Sequence, residues 1–153
     1  MKIVAPLILL LACAGPALAE GPLLSVAGPE ATRTYDLAAL EAFAPERFTT
    51  STIWTEAPAE FTGVPLRRLL ADAGITEGAV MATAINDYAV HIPLDEMTDD
   101  HPIVAYRVDG RTLAVRDKGP LWIVYPYDSD PELRSEVVYS RSIWQLDRLA
   151  VAE

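Results

Sequence analysis

The chain has 153 residues, of which 51% are hydrophobic, and its formal net charge is −10 at pH 7. This length and apolar content are enough for one domain with a sizeable core. The acidic charge argues against nucleic acid or an anionic membrane as the main partner, because both would repel the protein.

The first nineteen residues have the pattern of an export signal. Lys2 precedes an apolar run over 3–14 that is too short to span a bilayer, and Ala17-Leu18-Ala19 is typical of a signal-peptidase site. We therefore expect a periplasmic or secreted protein with one mature domain over 20–153 and no transmembrane segment. In an alternative interpretation, residues 10–13 form a lipobox and a lipid on Cys13 anchors the protein.

Cys13 is the only cysteine in the chain. Cleavage after Ala19 would remove it. An exported protein can form disulfides, but this chain would then have no cysteine left to form one. A mature chain of this kind has no disulfide, no thiolate metal site and no cysteine nucleophile.

Short elements begin the predicted domain. Strands are predicted over 23–26 and 33–35, and Asp36 is the predicted N-cap of a helix over 37–43. The β-branched residues of 48–54 predict a third strand. The next helix is predicted over 65–73, because Pro65 suits a helix start, leucines share one face, and Gly74 suits a C-cap.

The rest of the domain is predicted to be mainly strands. Apolar and β-branched runs predict strands over 80–85, 88–92, 103–108, 112–115 and 121–125, the last of them central in a sheet. Asp109-Gly110 is a strong hairpin signal. Short helical turns are predicted over 93–97 and 131–134, and 143–151 is a strand or a helix-to-strand segment. Because no regular βαβ alternation is present, these elements predict an α+β fold with a mixed β-sheet and short helices.

Four motifs occur in a familiar order: "GVPLRRLL" (Gly63–Leu70), "NDYAVHIP" (Asn86–Pro93), "AYRVDGRTLAVRDKGPLWIVYP" (Ala105–Pro126) and "SRSIWQLDRLAV" (Ser140–Val151). Over about residues 46–151 the chain resembles the molybdopterin-binding domain of oxidoreductases of the sulfite-oxidase type. The resemblance implies a sheet whose loops hold a pterin with a molybdenum-binding dithiolene. It also implies one cysteine ligand to the metal, in the region before the Gly-Val-Pro-Leu helix.

This chain departs from the family at two places. The region before the helix reads "RFTTSTIWTEAPAEFT" and contains no sulfur, so Ser51 is the candidate for an unusual metal ligand. In the other interpretation, these hydroxyls form the wet face of a half-exposed strand. The second departure is Lys118-Gly119-Pro120-Leu121-Trp122, where enzymes of this type tend to have His-Gly before the strand and Arg within it.

The candidate ligand-binding residues are cationic or aromatic. Seven basic residues lie in the last third of an acidic chain, and among these Lys118, Arg134 and Arg141 are predicted to clamp an anion. Surface ion pairing to nearby acids is the alternative for the two arginines. Aromatic packing around the ligand is predicted from Trp54, Tyr88 and Tyr127. The resemblance implies that the turn containing Asn86 lies near the cofactor, which would put Asn86 at the pocket rim; in the alternative, Asn-Asp is present there for backbone reasons only.

Two functions are compatible with these features. We expect a binding module that keeps the molybdopterin-domain scaffold without molybdenum redox catalysis, has no cofactor, and binds a small anionic ligand or a periplasmic protein partner. The alternative is a periplasmic molybdopterin-dependent oxidoreductase, or a subunit of one, with a metal site that lacks cysteine. The absence of the expected cysteine and of any other complete catalytic set favours the first.

Overall fold

A computed structural model describes residues 21–152. The predictions of a signal peptide over 1–19 and of a lipid on Cys13 lie outside the described residues. Three short helices accompany the strands: α1 (Leu37–Glu41), α2 (Leu66–Asp72) and α3 (Glu136–Arg141). None of the helices between residues 21 and 152 is long and apolar enough to cross a membrane.

The described residues form ten strands: β1 (Leu24–Ala27), β2 (Thr32–Tyr35), β3 (Glu46–Thr50), β4 (Ala59–Pro65), β5 (Ala79–Ala84), β6 (Ala89–Pro93), β7 (Ile103–Val108), β8 (Arg111–Thr112), β9 (Trp122–Val124) and β10 (Leu146–Val151). One sheet has the order β2-β1-β10-β5-β6. In this sheet β1 runs parallel to β10, and the other neighbouring strands are antiparallel. The other sheet has the order β3-β4-β7-β8, with β9 also paired to β7. The predicted α+β class with mixed strand pairing is confirmed.

One hydrophobic cluster joins both sheets and the helices. Val26 and Ala82 come from the first sheet, Phe61 and Ile103 from the second, and Leu70 from α2. The leucines predicted to share one face of α2 are all buried. The core therefore fixes the two sheets against each other through side chains from every layer.

Several predictions from short sequence motifs are confirmed by the backbone of the structure. The Asp36 carboxylate accepts a hydrogen bond from the Ala39 amide at 2.8 Å, as an N-cap should. Asp109 and Gly110 have φ of 49° and 76° in a two-residue loop between β7 and β8, which is the backbone of a type I′ hairpin. Gly74 follows α2 with φ of 81°, a conformation that glycine adopts without steric cost.

Three sequence predictions differ from the structure. The strand predicted over 48–54 ends at Thr50, and turns follow it. The run over 121–125 forms β9 at Trp122–Val124, which pairs with β7 on one edge; on its other edge it has only an isolated bridge between Trp122 and Trp144 instead of a second strand. Its apolar character reflects complete burial. The strand predicted over 112–115 is reduced to Arg111–Thr112 and is soon followed by a 3₁₀ turn.

Candidate functional site

A cavity of about 280 Å³ opens where the β3–β4 loop, the β5–β6 turn and the segment from α3 to β10 meet. Four aromatic side chains line it: Trp54, Tyr88, Tyr139 and Trp144. The remaining lining residues are small or uncharged: Ala84, Asn86, Ser140, Ser142 and Ile143. Its volume lies just below the usual range for small-molecule pockets, so it suits a compact ligand.

The hydroxyl-rich stretch positions Trp54 at this cavity. The Thr52 hydroxyl accepts a hydrogen bond from the Trp54 amide at 3.0 Å and contacts the Thr55 hydroxyl at the same distance. Hydroxyls that bond nearby backbone groups in this way compete with strand pairing. The half-exposed strand predicted here is therefore wrong beyond Thr50, and the hydroxyls instead build a loop that presents Trp54.

The loop that contains Asp128 forms hydrogen bonds to the hydroxyl stretch. The Asp128 carboxylate accepts a hydrogen bond from the Ser51 amide at 2.7 Å, and the Asp128 amide donates to the buried Thr50 hydroxyl at 3.1 Å. The bond from Ser51 is the main reason why the pKa of Asp128 lies below its ordinary value. Ser51, the candidate metal ligand, is thus engaged through its backbone and does not line the cavity.

Trp54 is the centre of an aromatic cluster. Its ring centroid lies 5.4 Å from that of Trp144, 5.8 Å from that of Tyr139 and 5.9 Å from that of Trp122, in edge-to-face arrangements. Tyr127 also contacts Trp54, with the centroids 6.4 Å apart. Such pairs add stability beyond their buried area, and they restrict the rings to defined positions around the cavity.

Ser142, which lines the cavity, forms three hydrogen bonds with neighbouring residues. Its hydroxyl accepts a hydrogen bond from the Tyr127 hydroxyl at 2.5 Å and donates to the Val138 carbonyl at 2.8 Å. Its carbonyl accepts the indole N–H of Trp122 at 3.2 Å. Burial raises the pKa of Tyr127 to about 12, so this tyrosine is a neutral structural donor at ordinary pH.

The predicted Asn86-Asp87 turn forms one rim of the cavity. The Asn86 side-chain oxygen accepts from the Tyr88 amide at 3.2 Å, and Asp87 adopts a positive φ of 65°. The Tyr88 hydroxyl donates to the Ser140 carbonyl at 3.3 Å and so links the β5–β6 turn to α3. The structure thus brings Trp54, Asn86 and Tyr88 together at one cavity, whereas Tyr127 contacts Trp54 but is not among the lining residues.

None of the three predicted cations lines the aromatic cavity. Arg134 donates to the Tyr127 carbonyl at 3.0 Å and to the Asp128 carboxylate at 2.8 Å. Arg141 pairs with Glu96, and its hydrogen bond lowers the pKa of that carboxyl. Within residues 21–152, no lysine or arginine lines the aromatic cavity.

Lys118 comes nearest to the cavity. Its ammonium nitrogen lies 5.8 Å from the centroid of Trp122 and 5.9 Å from that of Trp144. A cation at this distance from an indole face is attracted to it. The anion clamp of Lys118, Arg134 and Arg141 therefore remains a prediction.

Sequence reasoning missed Tyr139 and Trp144 as cavity residues. Helix α3, which carries Tyr139, was not predicted, although Ser135 was available as its N-cap and accepts from the Val138 amide at 3.3 Å. Trp144 was placed in a terminal strand or helix-to-strand segment. The signal that could have found both is the spacing of aromatic residues on either side of Ser140–Ser142.

Comparisons with known proteins agree on the fold. Residues 24–128 match the family described as the oxidoreductase molybdopterin binding domain. The structure is similar to the crystal structure of the sulfane dehydrogenase SoxCD from Paracoccus pantotrophus, with a TM-score of 0.63 and 20% sequence identity. The match covers 84% of this chain but only 37% of that chain. No match was found among curated proteins.

Proposed function

Because this chain belongs to the oxidoreductase molybdopterin-binding domain family, we propose that it is an exported binding module built on that scaffold, which binds a compact ligand and lacks molybdenum redox catalysis. The aromatic cavity between Trp54, Tyr88, Tyr139 and Trp144 is the observation that carries this proposal. The export pattern of residues 1–19 supports a periplasmic or secreted location.

The residues present do not fit a molybdenum cofactor in this cavity. Molybdenum in the resembling enzymes takes a cysteine thiolate, and residues 21–152 contain no cysteine. No group of three or more potential metal ligands is found among the described histidine, aspartate and glutamate residues. An anionic pterin phosphate would also find no cation in the lining, because Arg134 and Arg141 are paired with carboxylates and Lys118 lies over the Trp122 and Trp144 rings.

The lining instead favours a largely apolar ligand. The Tyr88, Ser140 and Ser142 hydroxyls already donate to backbone carbonyls, so their hydrogen-bonding capacity is partly used. Indole and phenol rings provide broad apolar area with little conformational entropy to lose. A planar or aliphatic group of modest size is therefore a better complement to this cavity than a free anion.

Metal and pterin analysis tests the absence of redox chemistry. Protein exported by a host that makes molybdopterin should contain far less than one molybdenum atom per chain, because the thiolate ligand is missing. Molybdenum is measured by plasma mass spectrometry and released pterin by fluorescence. Near-stoichiometric amounts of both would support the oxidoreductase alternative and direct attention to Ser51 as a ligand.

Binding at the cavity is tested with indole as an uncharged probe. Indole added to isotope-labelled protein should shift the NMR signals of Asn86 and Trp144, and Trp54→Ala should weaken its affinity by about tenfold or more, since a contacting aromatic ring is lost. Val151→Ala, which changes an exposed residue at the far end of β10, is the matched control and should bind indole normally.

Inorganic phosphate is the contrasting probe. Binding of phosphate that is lost in Arg141→Ala, with no binding of indole, would favour the anionic ligand predicted from the sequence and would contradict an apolar cavity ligand. Equal affinity of the wild type and Trp54→Ala for indole would also overturn the proposed site.

A further inference from the structure

Another cavity, of about 250 Å³, shares no lining residue with the aromatic cavity. Six residues line it: Leu23, Leu37, Tyr106, Thr112, Leu113 and Pro120. None of the six is charged, and three leucines and a proline give it mainly aliphatic walls. We call it the aliphatic cavity. Its size and its walls are complementary to a compact, uncharged molecule.

The pairing of β7 explains why a cavity forms beside Tyr106. On one edge of β7, β4 pairs with Ala105 and Arg107 and passes over Tyr106, which is therefore the extra residue of a β-bulge. On the other edge, Ala105 pairs with β9 and Arg107 pairs with β8, so the partner strand changes at Tyr106. Leu113 and Pro120 come from the connection between β8 and β9. Bulges redirect a side chain, and they are frequent next to functional sites.

Tyr106 brings an unused hydrogen-bond donor to the aliphatic cavity. It is only 4% exposed, and its hydroxyl has no hydrogen-bond partner in the described part of the chain. Among residues 21–152, the fully buried side-chain polar atom without a partner is Nδ1 of His101. The unpartnered oxygen of Tyr106 is thus not fully enclosed, and it reaches open space through the cavity that this residue lines.

The Tyr106 hydroxyl keeps its proton at ordinary pH. Burial, and secondly the negative charge of Glu41, raise the pKa of Tyr106 above its ordinary value. The group is therefore available as a neutral donor. A buried donor without a partner costs free energy, which an acceptor atom on a ligand would recover.

We propose that the aliphatic cavity is a second binding site, which takes a compact uncharged molecule whose carbonyl oxygen accepts a hydrogen bond from Tyr106. The leucines and Pro120 contact the aliphatic body of this ligand. A charged ligand is excluded, because it would lose its hydration without gaining an opposite charge from the lining. The site is independent of the proposed function, since the two cavities have no lining residue in common.

Cyclohexanone is the probe for this site. Titrated into isotope-labelled protein, it should shift the NMR signals of Leu113 and Leu37. Tyr106→Phe keeps the ring and removes the donor, so it should weaken the affinity by about threefold to tenfold, as expected for one neutral hydrogen bond. Its midpoint of urea denaturation should not fall, because the hydroxyl has no partner in the described residues.

Tyr125→Phe is the matched control. Tyr125 is also 4% exposed but lines neither cavity, so loss of its hydroxyl should leave the affinity for cyclohexanone unchanged. Equal affinity of the wild type and Tyr106→Phe would contradict the proposed hydrogen bond. A lower urea midpoint in Tyr106→Phe would show that the hydroxyl serves the fold, and it would also overturn the inference.

The signals that shift separate this inference from the proposed function. Cyclohexanone that shifts only signals around Trp144, or shifts none while indole still binds, would overturn the second site and leave the aromatic cavity as the binding site. Binding of cyclohexanone at Leu113 without any binding of indole would support the second site and contradict the proposed function. If neither probe binds, both proposals are wrong.

Discussion

Replacing Trp122 with alanine should lower the free energy of unfolding by about 3 to 5 kcal/mol, the usual cost of removing a large buried aromatic side chain. Trp122 is only 2% exposed and packs edge-to-face on Phe61, with ring centroids 5.4 Å apart, and on Trp54 at 5.9 Å. Its N–H also donates to the Ser142 carbonyl. The substitution therefore removes a side chain that packs against both the core and the aromatic rings of the cavity. The change in the free energy of unfolding is measured by urea denaturation.

Trp122→Phe is the matched control for this substitution. It keeps an aromatic ring beside Trp54 and Phe61 but loses the hydrogen bond to Ser142, so we expect a clearly smaller loss than with alanine. Trp144→Ala, at a 36% exposed position, should also cost less stability because its ring is only partly removed from water. A loss below about 1 kcal/mol for Trp122→Ala would contradict the supporting role assigned to this residue.

Replacing Gly63 with alanine should destabilise the fold by about 3 kcal/mol or more, at the upper end for overpacking. A Cβ atom at this position would lie 2.2 Å from the Val104 carbonyl oxygen and 2.7 Å from the Ala105 Cα atom. Both are backbone atoms of β7, and the pairing of β4 with β7 shifts register between Thr62 and Gly63. Because backbone cannot move aside as a side chain can, the two strands would have to separate.

Gly21→Ala tests whether the effect comes from the contact with β7. A Cβ atom at Gly21 would meet no atom within 4 Å, so this variant should unfold at nearly the wild-type urea concentration. If Gly63→Ala were as stable as Gly21→Ala, the close approach of β4 and β7 would have to be wrong. The comparison also bears on function, since β4 continues into α2 and follows the loop that carries Trp54.

The hydroxyl stretch shows why sequence reasoning reached the right region but the wrong structure. Its β-branched residues favour a strand, and the strand does form as far as Thr50. Beyond that point the backbone is held by Asp128, which is 77 positions from Ser51 in the chain. A contact of that sequence separation leaves no trace in local composition, so the turn that presents Trp54 could not be read from the stretch itself.

The candidate site was predicted only in part, because some of its contacts also join residues that are far apart in sequence. Trp54, Asn86 and Tyr88 were named from their residue types and from the place of their loops in the resembling family, and they do share one cavity. Arg134 and Arg141 were chosen for their charge, but Asp128 and Glu96 lie close enough to pair with them. Charge in a sequence indicates what a side chain could bind, whereas the folded chain determines which partner is already in reach.

The family and the elements governed by local backbone chemistry could be predicted from the chain alone. Capping by Asp36, the hairpin at Asp109-Gly110 and the apolar face of α2 depend on residues a few positions apart, so their physical causes are visible in the chain. The absence of cysteine from residues 20–153 was equally visible. The contact of Trp54 with Trp144 and Tyr139 could not be predicted in this way, because the fold brings together two segments that are far apart in sequence, the β3–β4 loop and the segment from α3 to β10.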